Sequence, residues 1–241
     1  MGRLSILQKI MLSLILFFDL SGAVAQKLPG DSAQLLPVLN TEIDKFWPGL
    51  TPRSWLAAIP DQEANWKLKA TLKTSRELGC GLGQFTIAYD AAGKVRFDAL
   101  EETKRLDPSL KDWNWKDCYN AQYQLRGVVL KMRTNDRQCT PLMDGNRNVK
   151  ACAGAAYNGG FGSVTKRIRL CRMNPECDPD EWYGHLDQQC AQSNVKVQGY
   201  GESFCMINSK YPGRVEARQG KFLPNWPGEK LLSLETKKET Q

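Results

Sequence analysis

Gly79-Cys80-Gly81-Leu82-Gly83-Gln84-Phe85-Thr86 carries glycine at three alternate positions, which permits a tight turn and lets the backbone approach a ligand closely. It does not read as a nucleotide loop. The G-x-G-x-G spacing departs from the dinucleotide fingerprint, no clear strand precedes it, and the Lys-Ser/Thr pair of a phosphate loop is missing. Upstream, Asp61-Gln62-Glu63-Ala64-Asn65-Trp66 closes an apolar helical stretch. A carboxyl group at the rim of a core has its pKa raised by desolvation and becomes a usable general acid near neutral pH. Downstream, Ala155-Ala156-Tyr157-Asn158-Gly159-Gly160 runs from small residues into glycines suited to ending a helix. Singly, these segments are compatible with a solvated surface Glu, a turn and a glycine-capped helix end.

Their order is more specific. A Glu, then G-L-x-Q 18 to 21 residues later, then A-Y-N-x-G resembles the lytic transglycosylases that share the goose-type lysozyme fold. Glu63, Gly81-Leu82-Gly83-Gln84 and Ala156-Tyr157-Asn158-Gly159-Gly160 carry the resemblance, which extends from about Leu35 to Phe222. Leu72-Lys73-Thr74-Ser75-Arg76-Glu77, Asp178-Pro179 and Ile207-Asn208-Ser209-Lys210-Tyr211 are similar to a phage- or mobile-element-associated branch.

The resemblance implies cleavage of the β-1,4 bond between N-acetylmuramic acid and N-acetylglucosamine in peptidoglycan. Glu63 would protonate the departing oxygen and then, as carboxylate, accept the proton of the muramic acid 6-hydroxyl as a 1,6-anhydro ring closes. That chemistry needs no metal or other cofactor. By the same resemblance Gln84 and Gly83 line the cleft, Tyr157 and Asn158 border the catalytic site, and Tyr211 is the tyrosine that bonds near Glu63, with Tyr200 as the alternative. The chain departs from the family pattern at Ala64, where serine is usual, at Gly83, where methionine is commoner and glycine would widen the space, and at Pro60. Proline inside a helix removes a hydrogen bond, so either the helix bends there or a new one starts.

Water-using glycosidases generally need a second carboxylate. Asp61 and Glu77 are nearest in sequence. Asp61, two residues from Glu63, would point away on a helix, and Glu77 can pair with Arg76 or Lys73 on the surface. Single-Glu transglycosylation is therefore favoured. A muramidase, or a catalytically weak wall-binding or assembly component, is the alternative, the latter motivated by Ala64 and Pro60.

Composition narrows the rest. The 241 residues contain 33 Lys+Arg, 26 Asp+Glu, one His and eight Cys. One histidine rules out a His-rich zinc site, and His185 reads as a helix-face residue. Residues 1–25 read as a secretory signal, with Arg3 and Lys9 before an apolar run and Ala23-Val24-Ala25 at its end. Its removal takes the formal charge from +7 to +6 and leaves no apolar run of membrane-spanning length. Export, a basic balance and the lack of a dense basic run favour an anionic wall polymer over nucleic acid as partner. The expected location is the periplasm, the cell envelope or outside the cell. An even cysteine count behind an export signal is expected of disulfides, with connectivity left open.

The chain reads as mainly α: one disulfide-stabilised domain over residues 35–223 with a small hairpin, a lead-in at 26–34 and a mobile tail at 224–241. Thr51-Pro52 reads as an N-cap with proline at the first helical position. Leu125, Val128, Val129 and Met132 have the spacing of a buried helical face, with Arg126, Lys131 and Arg133 between them. Helices are also expected over 97–106 and from Asp178-Pro179 towards Cys190, and a hairpin from 84–89 and 94–97. Among the tryptophans, Trp66, Trp113, Trp115 and Trp182 are candidates for stacking on sugar rings.

Overall fold

The computed structural model describes residues 27–197 and 201–235. The signal segment, Tyr200 and the end of the tail lie outside the described residues. Seven α-helices and four strands are present among them, so the mainly helical class with one small sheet holds.

The apolar stripe of Leu125, Val128, Val129 and Met132 organises the core. These side chains are fully buried on α4 (Ala121–Cys139), whose first turn is capped by the Asn120 side chain accepting the Tyr123 N–H at 3.1 Å. Burial of each is worth about 1.5–3 kcal/mol. Two other helices, α1 (Ser32–Phe46) and α5 (Gly145–Gly159), pack against α4. Helix α7 (Phe204–Gln219) crosses both α5 and α2 (Arg53–Ala64). The shorter α3 (Ala99–Lys104) and α6 (Phe161–Cys171) flank this group.

Arg126 of α4 does not lie on a solvated face. Arg126 is buried and makes a two-pronged ion pair with buried Glu42 of α1, at 2.8 and 3.2 Å. Enclosure by neighbours on several sides explains the difference, because a central helix cannot leave its charges in water and must pair them.

The sheet is larger than a hairpin. β1 (Thr71–Lys73), β2 (Glu77–Cys80), β3 (Phe85–Tyr89) and β4 (Val95–Asp98) form an antiparallel meander in sequence order. The glycine-rich segment is the connection between β2 and β3. A strand therefore does precede it, hidden in sequence because Glu77 and Gly79 are poor strand formers. A strand also follows it, where a phosphate loop would open a helix.

All eight cysteines pair, each with its neighbour in sequence: Cys80–Cys118, Cys139–Cys152, Cys171–Cys177 and Cys190–Cys205. The first ties the glycine-rich connection to the segment leading into α4, and the last closes the loop ahead of α7.

Two local expectations change, at Thr51-Pro52 and after Asp178. Pro52 has extended backbone and α2 begins at Arg53, whose N–H and that of Ser54 are accepted by the Glu229 carboxylate at 2.6 and 2.9 Å. The segment from residue 224 to Glu235 packs against the domain. Trp226 donates to Asn40 at 2.9 Å, Leu232 is buried, and the Leu232 N–H donates to Gln219 at 3.0 Å. The region after Asp178 forms turns and a short 3-10 segment at Leu186–Gln188, with no α-helix. There Asp178 caps the Asp180 N–H and the Trp182 N–H is taken by Asn148, so side chains satisfy the backbone in place of a helical ladder.

Candidate active site

Glu63 lies on the last turn of α2, which runs through Pro60 as one helix. The helix stops because Asn65 and Trp66 take left-handed backbone, with φ of 49° and 56°. Trp66 then folds back, fully buried, and donates its indole N–H to the Ala57 carbonyl at 3.0 Å. This anchor fixes the end of the helix and thus where Glu63 stands.

The Glu63 carboxyl keeps part of its surface open, but most of its surroundings are protein. Burial pushes its pKa up from 4.5 to about 7, against opposing pulls from the Tyr211 hydroxyl and the positive charge of Lys131. Tyr211, itself buried on α7, donates its hydroxyl proton to Glu63 Oε1. Asp61 is elsewhere: its buried carboxylate bonds the Lys221 ammonium at 2.6 Å, with Arg218 at 3.5 Å.

The connection between β2 and β3 is built around a buried amide that sequence reading did not single out. Gln124 Oε1 accepts the Gly83 N–H at 3.1 Å, while its Nε2 donates to the carbonyls of Cys80, at 3.2 Å, and Cys118. Gly81 has φ +70°, and a Cβ there would sit 2.2 Å from Gln124 Nε2. Gly83 creates no widened space. A Cβ on it would lie 2.4 Å from the Phe85 ring and 2.8 Å from the Tyr157 hydroxyl, because that hydroxyl donates to the Gly83 carbonyl at 2.8 Å. Gln84 adopts left-handed backbone at φ +44° and turns its own amide back onto the Gly81 carbonyl at 2.9 Å.

Asn158 ends α5, exposed, and its Oδ1 accepts from Asn208 Nδ2 at 3.2 Å. Asn208 Nδ2 also donates to the Ala155 carbonyl at 2.8 Å, so α7 supplies both the tyrosine on Glu63 and the amide that holds Asn158.

A cleft of about 710 Å³ runs between the sheet, α4 and the end of α5. Gln84, Tyr157 and Asn158 line it; Glu63, Gly83 and Tyr211 are not among its lining residues, and the Tyr157 hydroxyl on the Gly83 carbonyl joins the cleft wall to the glycine-rich connection. Glu77 faces this cleft without an ion pair to Arg76 or Lys73, correcting its expected surface pairing. None of the four candidate tryptophans lines it: Trp66, Trp113 and Trp182 are fully buried, and Trp115 donates to Asp98 at 2.9 Å. Phe97, Phe161 and Phe204 are its aromatic walls instead. Lys131, spaced on α4 with Thr134 and Asn135, also lines it and was legible only as one of several polar residues between apolar ones.

His185 lies outside any helix and accepts the Asp178 N–H on its Nδ1 at 2.9 Å. Among the described residues no group of three His, Cys, Asp or Glu is arranged to hold a metal ion, and no helix is long and apolar enough to cross a membrane.

No protein-family model matches the chain, and no curated protein does. Among solved structures it is similar to the 70 kDa soluble lytic transglycosylase from Escherichia coli, with a TM-score of 0.45 and 14% sequence identity. The match covers 80% of this chain and 25% of that one, so the chain spans about a quarter of the length of that structure.

Proposed function

We propose that this protein is an exported peptidoglycan lytic transglycosylase with Glu63 as its one acid and base. The observation that carries the reading is the Glu63 carboxyl, raised to about 7 by burial and held by the Tyr211 hydroxyl, beside a cleft large enough for sugar rings. At that pKa both forms are populated near neutral pH, as a group that must give and then regain a proton requires. The ordered motifs around Glu63, Gln84 and Tyr157-Asn158 add independent support.

In the reaction Glu63 donates its proton to the glycosidic oxygen as the bond from C1 of the muramic acid breaks. The 6-hydroxyl oxygen of the same sugar then bonds to C1, and its proton passes to the Glu63 carboxylate, restoring the acid. Tyr211 orients the carboxyl and stabilises its charged form by hydrogen bonding. Gln84 and Asn158 hold sugar substituents on the cleft wall, and the Gly83 carbonyl fixes Tyr157 there. The four disulfides agree with an oxidising compartment outside the cytoplasm.

One observation favours a second reading. Glu77 and Glu102 both line the cleft, so either could activate water in a muramidase. Mass spectrometry of products from purified sacculi separates the two: 1,6-anhydro ends are expected, and reducing ends would replace transglycosylase by hydrolase. Turnover that survives Glu63→Gln would overturn both.

A further inference from the structure

The buried cations of this protein have partners. Arg126 is paired with Glu42, Lys150 with Asp136, and Arg167 with the carbonyls of Leu186 and Gln189. Lys131 differs. Its ammonium stands 4.8 Å from the centroid of the Tyr157 ring and lines the cleft, and among the described residues it has no hydrogen bond and no carboxylate within ion-pairing distance. Burial lowers its pKa, while the charges of Glu102 and Glu63 raise it from farther away. A half-buried ammonium with three donors, a ring face beside it and no hydrogen-bond acceptor is costly, and a ligand that supplies an anionic acceptor recovers that cost. Thr134 and Asn135, three and four residues on, continue the same wall, so a ligand group reaching Lys131 meets a polar stripe of α4. Arg96 adds a second positive charge on the cleft wall.

We propose that Lys131 binds a carboxylate of the ligand, so that the cleft selects carboxylate-bearing glycan over neutral β-1,4-linked N-acetylglucosamine chains. The inference rests on the glycan reading of the site. N-acetylmuramic acid differs from N-acetylglucosamine by a lactyl ether, whose carboxyl is either free or joined to a peptide with carboxylates of its own. Both sources present the same chemistry to an ammonium.

Equilibrium binding to Glu63→Gln protein, which holds substrate without turning it over, tests this. The ligands are an N-acetylglucosamine oligosaccharide, a glycan of equal length stripped of peptide and bearing free lactyl carboxylates, a peptide-bearing glycan, and that glycan with its carboxylates amidated. At least one carboxylate-bearing ligand is expected to bind about tenfold more tightly than the neutral chain. Comparing the stripped, peptide-bearing and amidated forms identifies which carboxylate is read. Adding Lys131→Met should bring the ratio towards one, and Lys131→Arg should keep most of it. If the Met variant folds poorly, Lys131→Gln and the loss of preference with added salt give the same readout. Equal affinity for charged and neutral ligands, or a preference unchanged without the ammonium, overturns the inference alone. Failure to bind any glycan overturns the proposed function as well.

Discussion

Tyr211 donates its hydroxyl proton to Oε1 of Glu63, joining two helices across 148 residues of chain. The bond favours the carboxylate and burial favours the acid; burial prevails, which leaves the group at about 7. As pH rises through that value the acid form is lost, so kcat/KM for glycan cleavage is expected to fall along an alkaline limb centred near pH 7. Tyr211→Phe removes the stabilisation of the carboxylate and should move that limb to higher pH while lowering the maximum rate. A pH–rate profile of both proteins is the check, and an unmoved limb would separate Tyr211 from the titration.

The same burial makes a thermodynamic prediction. Between pH 4.5 and about 7 an unfolded chain releases the Glu63 proton while the folded protein retains it, so this residue's contribution to stability declines as pH rises across that window and is constant above it. The decline is on the order of 1–3 kcal/mol, the lower part reflecting the open surface of the side chain. Glu63→Gln lacks this dependence. Its Tm should exceed that of the unsubstituted protein at pH 8 by more than at pH 4.5, measurable by calorimetry at the two pH values.

Gly83→Ala tests the packing of the glycine-rich connection. The added methyl must displace the Phe85 ring or the Tyr157 hydroxyl, breaking the bond from Tyr157 to the Gly83 carbonyl. A loss of about 1–3 kcal/mol in stability is expected, together with a larger relative loss of activity because Tyr157 lines the cleft. Gly93→Ala, on an exposed turn where a Cβ meets nothing within 4 Å, is the control: its φ of +79° costs some stability, but activity should be kept.

Glu229→Ala should destabilise the protein by about 1–2 kcal/mol, since it removes the acceptor for two N–H groups at the start of α2 and a negative charge from that end of the helix. Glu229→Gln should recover part of the loss. Urea denaturation of the three proteins measures both, and equal midpoints would contradict the capping role.

The sequence announced the central parts of this arrangement because they are local or periodic. The stripe from Leu125 to Met132, the hairpin around Asp90 and the order of Glu63, Gln84 and Tyr157 all lie within short windows. What escaped depends on distant partners. Gln124 gave no sign that its amide would hold a loop some forty residues earlier, and nothing around Arg126 in sequence points to Glu42. Trp66, Trp113 and Trp182 were attractive as sugar platforms because an indole suits either role, but their area went into the core. Lys131 was visible only as a break in an apolar pattern; the enclosure that sets it apart exists only once Tyr157 has packed below it.

The contact between Glu229 and the start of α2 also bears on the order in which the protein is made. A ribosome that has just completed Arg53 must add 176 further residues before the side chain that receives its N–H exists. The helix carrying the acid is thus finished by a segment synthesised well after it, and a nascent chain halted before that point carries Glu63 on a helix whose first turn is still open to solvent.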